Sequence, residues 1–297
     1  MLTPVVEIFC EIDDYCQRYF AAMNRRLLPN PQRQRNKSCR LQLSEIMTLM
    51  VLFHLSHYRT FKDYYHDCVL KDLKAYFPRL VSYTRFVELM QTALLPLSAY
   101  LKAKAGPKTG LYYVDASALP VCHNNRIHRH KVFKGLATRG KTTMGWFHGF
   151  KLHLVINTQG EVMAFCLTPG HVDDRAPLEK LFKGLTGLGF GDRGYISKAK
   201  HQSLLKKGLC LITKLKKNMK PKPLTAVQSF FLSRRGLVET VIDQLKALCH
   251  IQHTRHRSPT NFLVNLVSGL VAYVLRPRKP SVKYPLKLHY AHSLMSN

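Results

Sequence analysis

Acidic side chains are scarce in this 297-residue chain: 17 Asp and Glu stand against 46 Lys and Arg, a formal net charge of +29. Self-repulsion of that size is costly unless a polyanion neutralises it. Nucleic acid is therefore the expected partner, with an anionic membrane surface the weaker alternative, and small cationic substrates are disfavoured. Apolar runs are short, and none approaches the roughly 18 residues of a membrane-spanning helix. The start lacks a basic segment followed by an apolar run, so no secretory leader and a cytoplasmic location are expected. CxxC pairs are missing: Cys10, Cys16, Cys39, Cys68, Cys122, Cys166, Cys210 and Cys249 are scattered, which fits reduced thiols rather than a disulfide or zinc framework. There is a single tryptophan, Trp146.

What is present is ordinary globular material. Hydrophobic residues make up 46% of the chain, enough for a sizeable core in one large domain or two ordinary ones. The charge is uneven: residues 1–105 hold 15 basic and 9 acidic side chains, residues 106–297 hold 31 and 8. Residues 1–105 read as helical. Apolar spacing predicts helices from Pro4 to about Met23, from Ser44 with Glu45 through Leu55, from Phe61 to Tyr76, and from a Ser82 cap onward. Short helices followed by a capped one suit a helix-turn-helix-like DNA-binding domain, although small bundles without DNA contacts share the pattern. Residues 102–110 read as a linker.

Beyond the linker the pattern is α/β. A short strand, Leu111–Val114, ends at Asp115. Strands at 149–157 and 161–167 flank a Thr158-Gln159-Gly160 turn, Asp173 is positioned to cap a helix through Phe182, and strands follow at 187–191 and 209–213. Val238, Val241, Leu245 and Leu248 mark a helix, and residues 261–275 another. The basic segment from residue 276 reads as a loose tail.

Only eight acids follow position 106, so each invites a question. Asp115 and Asp192 both sit at ends of apolar strands, where ligands of α/β sheets gather. Two carboxylates brought together there repel unless a cation lies between them. Oxygen-only donors suit Mg²⁺ or Mn²⁺. Glu239 lies on a helix with Arg235 at i−4 and Lys246 at i+7, on roughly one face. The bland readings are an ordinary Asp-Arg-Gly turn at 192–194 and a surface pair between Glu239 and Arg235. Asp173 and Asp174 read as residues of a helix N-terminus rather than ligands.

Three segments taken together resemble the catalytic blocks of DDE insertion-sequence transposases: VDAS at 114–117, FGDRGYIS at 190–197 and RGLVETVIDQLK at 235–246. The third carries Arg235, Glu239 and Lys246 at the family's Arg-x3-Glu-x6-Lys spacing. The Tyr usual three residues before the Arg is Leu232 here. The acids are separated by 76 and 46 residues. The resemblance implies an RNase H-like catalytic domain over about 109–275, a mixed sheet flanked by helices, preceded by an all-α end-binding domain over 1–105 and followed by a basic tail, 276–297. It implies a triad of Asp115, Asp192 and Glu239 holding two divalent ions, Mg²⁺ or Mn²⁺. It further implies hydrolysis at the terminal inverted repeats of an element, joining of the 3′ ends to target DNA, a homodimer or higher assembly on double-stranded DNA, and a nucleoid-associated setting. Arg235, Lys246, Arg193, Lys214, Lys216 and Lys217 are the expected phosphate contacts. A related nuclease without strand transfer, and a DNA-binding protein without enzymatic activity, remain the alternatives.

Two further features stand outside the triad. Cys122, His123, His128 and His130 lie among Arg126, Arg129, Lys131 and Lys134, and read as a DNA-facing loop rather than a zinc site, since no second Cys pair is present. Trp146 reads as packing in the core against the next strand, with base stacking as the alternative.

Overall fold

The computed structural model describes residues 3–24, 39–143, 145–215, 218–219, 223–252 and 256–283. They group into two compact units. One comprises residues 1–104, 245–252 and 256–276; the other comprises 105–244, 253–255 and 277–297. Helices from both ends of the chain thus build the first unit.

In the helical unit, α1 (Thr3–Asn24) buries Val5, Ile12 and Cys16 along one stripe. Helix α2 (Leu43–Leu55) is buried nearly all round. Its cap is Gln42, two residues before Ser44: the Glu45 carboxylate accepts the Gln42 N–H at 2.6 Å, closing a capping box. The helix expected over 61–76 is only a short turn, α3 (Phe61–Asp63), running into a π-helical turn at Tyr64–Val69. There Phe53, Phe61, Tyr64, Tyr65 and Phe86 gather as an aromatic cluster, and packing such large rings outweighs regular α spacing. Ser82 caps α4 (Tyr83–Leu89) through the Arg85 N–H, and α5 (Leu94–Ala103) follows.

The other unit is organised by a six-stranded mixed sheet. Its strands are β1 (Leu111–Cys122), β2 (Thr138–Thr142), β3 (Gly145–Asn157), β4 (Val162–Pro169), β5 (Gly187–Gly191) and β6 (Leu209–Thr213). The path runs β2-β3-β1-β5-β6, with β4 also pairing β3. β1, β2 and β4 are antiparallel to β3, whereas β1, β5 and β6 are parallel. β1 runs well past Asp115, because its continuation pairs with β3 as far as Cys122 and His148. The β2–β3 hairpin, absent from the sequence reading, accounts for the early start of β3.

Helices cover both faces. On one face Tyr112 and Val114 pack with Leu178 and Leu181 of α6 (Leu178–Leu181) and Leu204 of α7 (Lys198–Leu205). On the other, Tyr113 stacks toward Phe190 at 5.7 Å, and Phe190 toward Phe231 of α8 (Ala226–Ser233) at 5.9 Å. This alternation decides where Asp115 and Asp192 point. Two residues beyond Tyr113 and Phe190, they share the α8 face. Asp173 caps no helix: α6 starts only after Pro177, and the Asp173 carboxylate instead accepts hydrogen bonds from Arg175. Helix α9 (Gly236–Ala247) follows α8 after a two-residue break. Helix α10 (Pro259–Leu275), capped by Ser258, is as buried as α2 and packs on α2 and α5. The expected 109–275 span therefore loses its last helix to the helical unit. An apolar helix goes where apolar faces are free, whatever its place in the chain.

Candidate active site

The register of β1 and β5 positions the first two acids. Leu111, Tyr112 and Tyr113 pair with Leu188, Gly189 and Phe190. Carried two steps on, that register brings Asp115 of β1 to the level of Asp192, which directly follows β5. The packing before Asp192 is tight: a Cβ at Gly191 would lie 3.0 Å from the Tyr195 ring and 3.2 Å from the Val114 side chain. Asp192 then opens a 3₁₀ turn, Arg193–Tyr195, and its Oδ1 accepts the Gly194 N–H at 2.7 Å. Asp115 Oδ1 accepts the Ala116 N–H at 2.9 Å.

The third acid arrives through an arginine. Arg235 stands just before α9 and donates to Glu239 Oε1 one turn on. Its guanidinium is also 3.9 Å from Asp115 Oδ2. The Arg235 side chain is 19% exposed, against 52% for Glu239. Asp115 feels all of these charges. Burial, above all, pushes its carboxyl up to about 6; the Ala116 N–H and Arg235 oppose that shift, and the charges of Asp192 and Glu239 add to it. Asp115, Asp192, Glu239 and Arg235 thus form one electrostatic cluster.

The other expected residues are placed less uniformly. Arg193 and Lys214 are both exposed, and both line a cavity of about 560 Å³ beside Asp192, together with Tyr195 and His201. Lys246 is two turns beyond Glu239 on α9, in the part grouped with the helical unit. Lys216 and Lys217 lie outside the described residues.

Two residues escaped the sequence reading. The Tyr195 hydroxyl is buried without a hydrogen-bond partner. Burial, then the charges of Asp115, Asp174 and Asp192, push its phenol well above the usual tyrosine range. Asp174 pairs with Lys151 at 2.8 Å, and that lysine also donates to the Val172 carbonyl. The only sequence signal for Tyr195 was its place three residues after Asp192. Nothing local marked Lys151.

Among the described residues, no three His, Cys, Asp or Glu side chains are close enough to hold an ion as they stand. Arg235 lies between two of the acids, in the position a cation takes. Asp115, Asp192 and Glu239 all offer carboxylate oxygens, hard donors whose chemistry fits Mg²⁺ or Mn²⁺.

A family model described as transposase DDE domain matches residues 105–259. The chain belongs to the transposase DDE domain family. Among solved structures, this transposase is similar to the piggyBac transposase synaptic complex with hairpin DNA, determined by cryo-EM. The two are 12% identical with a TM-score of 0.46, covering 90% of this chain and 70% of that one. No curated protein matches the chain. The mixed sheet with flanking helices is consistent with the RNase H-like domain of the family. DDE transposases cut and transfer DNA, and generally use divalent metals.

Proposed function

We propose that this transposase binds the terminal inverted repeats of an insertion sequence, cleaves DNA at the element ends and joins the freed 3′ ends to target DNA. The observation that carries the reading is the cluster of Asp115 on β1 and Asp192 just past the end of β5 with Glu239 and Arg235. Asp115, Asp192 and Glu239 are assigned to hold Mg²⁺ or Mn²⁺, two ions in the full reading. Bound there, the metal supplies Lewis-acid stabilisation of the reacting oxygens in an in-line displacement at phosphorus.

The chain's own groups do the remaining work. A water attacks the phosphorus, the P–O3′ bond breaks, and the 3′ oxygen leaves with a proton from that water; in joining, that 3′-hydroxyl attacks a target phosphate, the target's own P–O3′ bond breaks, and its 3′ oxygen leaves with the hydroxyl proton. Arg235 is a fixed cation held at the acids, suited to a phosphate oxygen when a strand enters. Arg193 and Lys214 extend positive charge along the neighbouring cavity. Lys246, and Lys216 and Lys217, are assigned to more distant phosphates. The helical unit is assigned to end recognition, with a helix-turn-helix among its α2–α5 helices, and two copies of the chain to the pairing of ends.

The test is cleavage of a labelled duplex bearing the terminal repeats of the flanking DNA, with Mg²⁺. Wild type nicks at the repeat boundary; Asp192→Ala binds the same duplex and does not nick, and EDTA abolishes nicking. Failure of pre-cut ends to join to target DNA would reduce the protein to a nuclease. Binding with no cleavage by wild type would make it a DNA-binding protein only.

A further inference from the structure

We propose that the β2–β3 hairpin and the adjoining 3₁₀ turn form a site for one unpaired nucleotide of a DNA strand, its base stacked on Trp146 and its phosphate held by Arg126, Arg129, His123 and His130. This deepens the transposase reading and rests on it for the identity of the strand. Trp146 is not packed in the core as expected from the sequence. The residue is 52% exposed, an unusual state for the only tryptophan of the chain, whose indole has the largest apolar surface of any side chain.

Cations attend the indole. Trp146 pairs across the hairpin with Lys141, whose ammonium is 5.6 Å from the ring centroid, and the Arg139 guanidinium is 4.8 Å away. Both come from β2, so they approach from one side of the hairpin. A cation-backed aromatic ring at a protein surface is the arrangement that stacks nucleobases without regard to sequence. A paired base hides its faces in the duplex, so the base must be unpaired.

The phosphate half adjoins it. The 3₁₀ turn Asn124–Arg129 is tied to the tryptophan by Asn124, whose Nδ2 donates to the Trp146 carbonyl at 2.7 Å. Around this turn Cys122, His123, Arg126, Arg129 and His130 line a cavity of about 240 Å³. No carboxylate lines it, and His130 Nε2 is buried without a hydrogen-bond partner. The surroundings repeat the message. Between Asp115 and Glu161 the sequence holds seven Lys and Arg and no acid. Among the described residues, Arg126, Arg129, Arg139 and Lys141 form no ion pair with a carboxylate. Four cations without a carboxylate partner, two over an exposed ring and two at the adjoining cavity, fit an anionic ligand with an aromatic group.

Because Trp146 is the sole tryptophan, the emission of the full-length protein reports this site alone. A thymidine oligonucleotide is expected to quench it on binding. An abasic strand of equal length binds, as followed by the anisotropy of an attached dye, and leaves the emission unchanged. Trp146→Leu, an exposed change that leaves the melting temperature alone, weakens the thymidine strand about 5- to 100-fold and spares the abasic one. Arg126→Ala with Arg129→Ala weakens both. Binding of the thymidine strand without quenching, equal quenching by the abasic strand or by blunt duplex, or equal affinity for thymidine monophosphate would each overturn the proposal. The two readings fail separately. Quenching without end cleavage would sink the transposase chemistry and leave this site standing; end cleavage without quenching would do the reverse.

Discussion

His153 shows how a single side chain can link stability to pH. It is fully buried on β3 and shares a 2.8 Å hydrogen bond with Thr168, while its Nδ1 has no partner. Burial pushes its imidazole down to about 4; the Asp174 charge opposes this and Lys151 adds to it. The folded state therefore keeps His153 neutral where the unfolded chain is protonated. Its contribution is full above the unfolded value of about 6.5 and is lost as the pH falls from there to about 4, a swing of roughly 3 kcal/mol. Urea unfolding at pH 7.5 and pH 4.5 is expected to show this loss in wild type, with His153→Gln losing less by about that amount. Asp115 and Asp192 were readable one residue at a time because each closes an apolar run in a chain poor in acids, and Glu239 because of its spacing from Arg235 and Lys246. Tyr195 and Asp174 were not. Their importance comes from which charges stand beside them, and the chain brings those together from separate strands and loops.

Between the strand and helix elements, two junctions govern the site. At the start of α9, Arg235 holds Asp115 and Glu239 against each other. Arg235→Ala leaves two like charges without their cation, so Mg²⁺ is expected to raise the melting temperature of the variant by a few degrees more than that of wild type. An equal shift in both would show that Arg235 does not occupy the cation position. At the start of β5, Gly187 has φ of +108°, and a Cβ there would lie 2.2 Å from the Gly110 carbonyl oxygen. Gly187→Ala is expected to cost more than about 1 kcal/mol in denaturant unfolding, through both strain and backbone contact. A wild-type midpoint in the variant would refute it. Most strands were legible at this scale, since the buried parallel ones read as short apolar runs bounded by glycine. The extension of β1, the β2 strand and the π turn were not. The first two depend on pairing across a hairpin whose residues are polar and basic, and the third on ring packing.

For the molecule as a whole, charge and chain order matter most. A net charge of +29 predicts DNA binding that falls steeply and linearly on a log–log plot against salt. About 10³-fold or more is expected to be lost between 50 and 200 mM if six or more phosphates are contacted. A flat dependence would mean that the charge is not spent on DNA. The sequence by itself determined the charge, the helical first third, the mixed α/β remainder and the three acids, because composition, apolar period and strand-end position are local properties. The tertiary structure decided that Asp115 and Asp192 lie side by side, that Arg235 bridges two acids, that Trp146 faces solvent and that α10 joins helices from the other end of the chain. Each of these depends on pairing register or on which apolar faces remain open, and those are settled only when distant segments meet.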